Sequence, residues 1–169
     1  MQDKLTLERI QLLHPKLRDE AGEIYKAIGE VLSGKAACRF TSTLRTFAEQ
    51  AALHAKGRSA PGKIVTNARA GTSYHNYGLA IDIVLLIDRN GDGIYEEASW
   101  DTKGDFDGDS IADWMEIVAI FKQYGWEWGG DWRFKDTPHF QKTIGYSVRQ
   151  LLEKYNAKKL IPNTNYVNI

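Results

Sequence analysis

What this sequence lacks narrows its chemistry first. Its 169 residues hold one cysteine, Cys38, so neither an internal disulfide nor a multi-cysteine metal cage can form. A lone cysteine in a segment rich in β-branched and aromatic residues reads as a small buried hydrophobe on a strand, not as a nucleophile. No apolar run is long enough to span a bilayer, and Met1 to Ile10 has no uninterrupted apolar stretch of the secretory kind. The expectation is a chain made in the cytoplasm without a signal peptide and with no membrane partner. Net charge is absent as well: 22 Lys and Arg balance 22 Asp and Glu, which removes the global electrostatic argument for a nucleic-acid partner. The balance hides a segregation, because between Asp88 and Glu116 ten acidic residues face only Arg89 and Lys103, about −8 against about +8 in the remainder.

A hydrophobic content of 43% at this length suits one packed core. The whole chain, 1–169, reads as a single domain, with helices over 1–36, a core over 37–145, and a helix and tail over 146–169. Residues 6–13 suggest a short helix. Pro15 opens a longer one in which Leu17, Ala21, Ile24, Ile28 and Val31 share a face, ended by Ser33 and Gly34. Cys38 to Leu44 reads as a strand, and Thr46 with Glu49 forms a capping box for a helix ending near Gly57, which places Arg45 at a strand-to-helix junction. A loop with a short strand at Ile64 and Val65 leads to a buried strand over Ala80–Ile87. Asn90-Gly91 and Asp92-Gly93 are turn signals for a hairpin or a bulged excursion before Trp100. A helix over Ile111–Tyr124, capped by Ser110 and Asp113 and closed by Gly125, precedes the aromatic run Trp126–Trp132, which reads either as a cleft wall or as a packed loop. A last helix covers Tyr146–Tyr155, and an extended polar tail follows Lys159.

One residue breaks the pattern. Asp82 lies inside Ile81–Ile87, and an ionised carboxylate in a buried strand is costly unless a positive partner compensates it. His75, seven residues earlier, is close enough to share a metal with it, and catalytic zinc sites take three protein ligands with one open position. His139 is the best third candidate, because Asp136 lies three residues before it and supplies a carboxylate able to take a proton from water. His14 and His54 have no partner at ligand spacing and read as packing or surface residues.

These motifs in this order, Ser73-x-His75 with Ala80-x-Asp82 and then Asp136-x-x-His139, resemble the signature of the M15 family of zinc D,D- and L,D-peptidases. Arg45–Gln50 is similar to the family's arginine segment, and Trp126–Trp132 to the aromatic stretch before the last ligand. The resemblance implies an α+β fold, a small antiparallel sheet flanked by helices of the Hedgehog/D,D-peptidase type. It also implies that His75, Asp82 and His139 hold Zn²⁺, that Asp136 is the general base where some members use glutamate, that Arg45 binds a substrate carboxylate or carbonyl, and that Ser73 assists. The implied activity is hydrolysis of peptide bonds in peptidoglycan stem peptides, at the L-Ala-D-Glu or D-Ala-D-Ala bond, by a monomer. Without a signal peptide or wall-binding module, the expectation is a prophage endolysin released by a holin-type route, or a recycling enzyme. The rivals are a non-catalytic zinc-containing wall-binding module on the same fold, and a muramoyl-alanine amidase.

The acidic segment carries a separate expectation. Asp105, Asp107, Asp109, Asp113 and Glu116 occupy positions 1, 3, 5, 9 and 12 of an EF-hand-type calcium loop, with Ser110 where glycine is usual. Asp88, Asn90 and Asp92 start a second such loop that ends in Ser99. Helix capping and turn formation account for the same letters without an ion.

Overall fold

The computed structural model describes residues 3–169. The apolar run expected to be a buried strand is one, β2 (Ala80–Ile87), and every residue in it except Asp82 is buried. A strand apolar on both faces belongs in the middle of a sheet. β2 accordingly pairs antiparallel with β1 (Ala36–Ser42) on one side, and with β3 (Glu97–Ser99) and β5 (His139–Gln141) on the other. β4 (Glu127–Trp128) completes the sheet beside β5.

The two-residue period of the strands divides the sheet into two faces. Ile81, Ile83, Leu85 and Ile87 of β2, Cys38 and Phe40 of β1 and Phe140 of β5 join one core cluster. Against them pack Ala21, Ile24 and Ile28 of α2 (Arg18–Val31) and Trp114, Ile117, Val118 and Phe121 of α4 (Asp113–Gln123), with Phe121 stacked on Phe140 at 4.1 Å. Asp82 and His139 are in register with each other and stand on alternating positions to that core. These two helices therefore fill one face, and Asp82 and His139 stand on the other.

The remaining helices are α1 (Lys4–Ile10), α3 (Phe47–Ala55) and α5 (Val148–Asn156). The Thr46–Glu49 capping box forms as expected, with each side chain accepting the other residue's backbone N–H. Gly125 ends α4 at φ 77°, a left-handed turn that glycine adopts without a Cβ penalty. The 97–99 segment folds back on β2 as the hairpin the turn dipeptides implied.

Several expectations need correction. Val31 is 39% exposed rather than part of the buried stripe, because α2 ends there. Ile64 and Val65 are exposed and form no strand. Ser110 does not cap α4: the N-cap is Ala112, without a side-chain bond, while Ser110 sits at φ 77° and Asp113 accepts the N–H of Phe106. The tail is not simply extended, since Leu160 bridges to Val167, and buried Val167 gives its carbonyl to the Nε2 of buried His14.

Candidate metal centre and cleft

Asp82 reaches the open face because it alternates with Ile81 and Ile83, and the β2–β5 register sets His139 directly opposite. His75 arrives from the 3₁₀ turn Tyr74–Tyr77. Ser73 begins that turn by accepting the His75 N–H, and Asn76 ties it down by accepting from Ser73 and Gly71. The turn is strapped to the loop after β1: Arg45 N donates to the His75 carbonyl at 2.9 Å, and Asn76 donates to the Arg45 carbonyl at 2.9 Å.

The donor atoms then converge. His75 Nε2 and His139 Nδ1 each lie 3.1 Å from Asp82 Oδ1 and 3.2 Å from one another. Their outer nitrogens decide what these atoms are. His75 Nδ1 lies 2.7 Å from the Thr43 carbonyl, which can only accept, so Nδ1 carries the proton and Nε2 offers a lone pair. Two imidazole lone pairs and a carboxylate within about 3 Å repel unless a cation sits among them. Two nitrogens and one carboxylate oxygen are a donor set that zinc accepts, so the residues fit that ion. The protein's own electrostatics show the same demand for positive charge. Burial pushes Asp82 upward, yet protons on His139 and His75, standing where a cation would, outweigh it and hold the carboxyl well below the ordinary range. Burial likewise opposes a charge on His139, but Asp82 raises its pKa above the usual histidine value.

The centre opens into a cleft of about 560 Å³. Arg45 lines it with its Nη2 3.6 Å from Asp82 Oδ2, its Nη1 donating to Gln50, and buried Gln50 anchored in turn on the Ala68 carbonyl. The surface ion pair with Glu49 that its sequence position allows does not form, since Glu49 is engaged by Thr46. Asp136 stands on the cleft wall outside the donor set. The residue is exposed as a whole, yet enough protein surrounds its carboxyl for desolvation to raise its pKa; the His139 charge opposes this and the Asp82 charge adds to it. Its backbone is set by Gly129, which accepts the Asp136 N–H at 3.0 Å; a Cβ on Gly129 would lie 2.3 Å from the Asp136 carbonyl oxygen. The aromatic run divides between both readings: Trp126 and Trp128 are buried, and Trp132 lines the cleft with its ring 5.2 Å from that of His139. Ser73 also lines the cleft, although its hydroxyl is engaged by the His75 N–H.

Three contributors escape a reading by residue type. The Thr43 carbonyl is backbone and leaves no trace in side-chain spacing. Trp100, 55% exposed on the cleft rim, follows β3 between two acidic turns. Gln141 becomes visible only as the second residue beyond His139 on one strand face.

A family model described as D-alanyl-D-alanine carboxypeptidase, of the M15 peptidases, matches residues 66–142. The peptidoglycan L-alanyl-D-glutamate endopeptidase CwlK of Bacillus subtilis (strain 168) is 49% identical over 102 residues, 60% of this chain and 58% of CwlK. Residues 66–142 of this chain are thus similar to the M15 peptidases. The chain spans less than two thirds of CwlK's length. The crystal structure of the L-Ala D-Glu endopeptidase ChiX of Serratia marcescens shares the fold of this chain, with a TM-score of 0.53 over 83% of this chain and 88% of ChiX at 21% identity. Among the described residues no helix is long and apolar enough to cross a membrane.

The acidic turns form a second feature. Carboxylates of Asp105, Asp107 and Asp113 gather within 4.8 Å of one another, as do those of Asp107, Asp109 and Glu116. Burial first, then the neighbouring acids, raise Asp113 to about 6 and Glu116 to about 7, and Glu116 Oε2 is buried without a hydrogen-bond partner. A carboxyl raised in the folded state stabilises it while protonated and ceases to do so as pH climbs through the folded pKa. Chelator-treated protein should therefore lose melting temperature as pH rises from about 4 to about 7, and Asp113→Asn should flatten that slope. A thermal melt across this range reads the result directly.

Proposed function

We propose that this protein is a zinc-dependent endopeptidase of the M15 family that hydrolyses the L-alanyl-D-glutamate bond of peptidoglycan stem peptides. The observation that carries the reading is the meeting of three lone-pair donors, His75 Nε2, Asp82 Oδ1 and His139 Nδ1, at 3.1–3.2 Å on the floor of an open cleft. The choice of bond rests on the 49% identity to CwlK, named as an enzyme for that bond. His75, Asp82 and His139 would hold the ion. Zinc there supplies a Lewis acid for a carbonyl and lowers the pKa of water to about 7.

The chain's own residues do the rest. Asp136, on the wall and free of the donor set, takes the proton from the attacking water and returns it to the leaving amine. Arg45, its guanidinium held by Gln50, offers its remaining donors to a stem-peptide carboxylate, which a planar fork binds bidentately. Trp132 and Trp100 give the cleft apolar flanks that limit water around the reacting bond. The site of action on this reading is the cell wall.

Digestion of purified sacculi followed by mass spectrometry of the muropeptides tests the bond. New D-glutamate amino termini are expected. Freed terminal D-alanine would make the enzyme a carboxypeptidase, and new L-alanine amino termini an amidase. Calcium in the acidic loop is a separate reading, motivated by the two clusters of carboxylates there. Millimolar calcium added to zinc-loaded protein should raise the melting temperature at pH 7, and equal melting temperatures would remove calcium from the account.

A further inference from the structure

His139 has a second nitrogen, and its surroundings form a directed chain. His139 and Gln141 are two apart on β5, so both project from the same face, and Gln141 is in register with Glu127 on β4. Gln141 Nε2 donates to Glu127 Oε2 at 2.9 Å, and Gln141 Oε1 lies 3.1 Å from His139 Nε2. A carboxylate only accepts, so it holds the NH₂ end of the amide. The amide must then turn its oxygen inward, and that oxygen also only accepts. His139 Nε2 is thereby required to carry a proton, which leaves Nδ1 as the lone-pair atom facing Asp82 and His75.

We infer that Gln141, oriented by Glu127, is a positioning residue that locks His139 in the Nε2–H tautomer and aims Nδ1 at the metal. The inference rests on the zinc reading given above and deepens it. Thr43 does the same for His75 through a carbonyl, a group that no substitution of Thr43 removes. Gln141 is the mutable half of the arrangement. It lines the cleft outside the three donors, and its side chain hydrogen-bonds to His139 and Glu127 only. Partners of this kind change metal affinity by about 10–100-fold when removed.

The test uses zinc alone, titrated against a competing chelator into the whole chain. Gln141→Leu, which keeps bulk but cannot accept, should weaken zinc by about 10–100-fold. Exchanging the partners, Glu127→Gln together with Gln141→Glu, sets a carboxylate against His139 and an amide outside it. That restores both bonds, and affinity should return to within about threefold of the parent or exceed it. A merely structural role would be rescued by neither charge nor polarity at 141. Zinc affinity in Gln141→Leu equal to the parent's would overturn the inference while leaving the zinc site in place. A parent that binds no zinc would overturn the zinc reading itself. Long-range ¹H–¹⁵N spectra of zinc-loaded parent protein cover the case in which Gln141→Leu fails to fold: a protonated His139 Nε2 is expected, and an unprotonated Nε2 would end the proposal.

Discussion

Turnover by an Asp136→Asn variant is expected to fall by about 10²–10⁴-fold, the usual contribution of a positioned general base, with zinc content unchanged. The two halves of that expectation come from different facts. Asp136 is absent from the convergent donors, so an amide there removes no ligand. Its carboxyl nevertheless lies on the wall of the same cleft, with its pKa raised by desolvation, which makes it a better proton acceptor than an ordinary aspartate. Asparagine keeps the shape and the Gly129 contact while losing the ability to take a proton. Muropeptide release rates read beside metal analysis separate the outcomes: turnover within tenfold of the parent would move the base elsewhere, and lost zinc would mean that Asp136 supports the ion.

Asp82→Ala should do the opposite, removing the metal first and activity with it. Asp82 Oδ1 is the one atom that both histidines approach at 3.1 Å, and it supplies the only negative charge in the set. The effect can be read without any substrate. An ion that binds only the folded state stabilises it by about 4 kcal/mol when present at a thousand times its Kd, and each kcal/mol is worth about 2–4 °C in a domain of this size. Zinc should thus raise the parent's melting temperature by roughly 10 °C and leave that of Asp82→Ala unmoved. Equal shifts in the two proteins would show that Asp82 is no ligand.

The parts of this molecule that could be read in advance are those where one local rule dominates. β2 matched its expected bounds because an unbroken apolar run has few other places to go, and the α3 capping box is a reciprocal bond made within four residues. Asp82 stood out because it violated the pattern around it. His139 was harder, since in the sequence only Asp136 three residues before it set it apart from a structural histidine, and its pairing with β2 appears only in the fold. Where the outcome depended on contacts distant in the chain, residue patterns were blind. Glu127 lies in a strand of two residues, too short to show a period, and its meaning comes from the Gln141 opposite. The tail looked free because nothing in its own letters reports that Val167 docks beside His14. Ser110 looked like a cap because Ser, Asp and a following apolar run satisfy the capping pattern, whereas the acidic turn carries it into a left-handed conformation two residues before the true N-cap.

The strap between the β1 loop and the His75 turn bears on how this fold can be cut. The family match begins at residue 66, yet the carbonyl that orients His75 belongs to Thr43, and the amide that holds the turn from outside belongs to Arg45. A fragment trimmed to the matched segment would keep all three donors in its sequence and lose the splint that sets one of them. For grafting or fusion, the smallest transferable unit starts no later than β1.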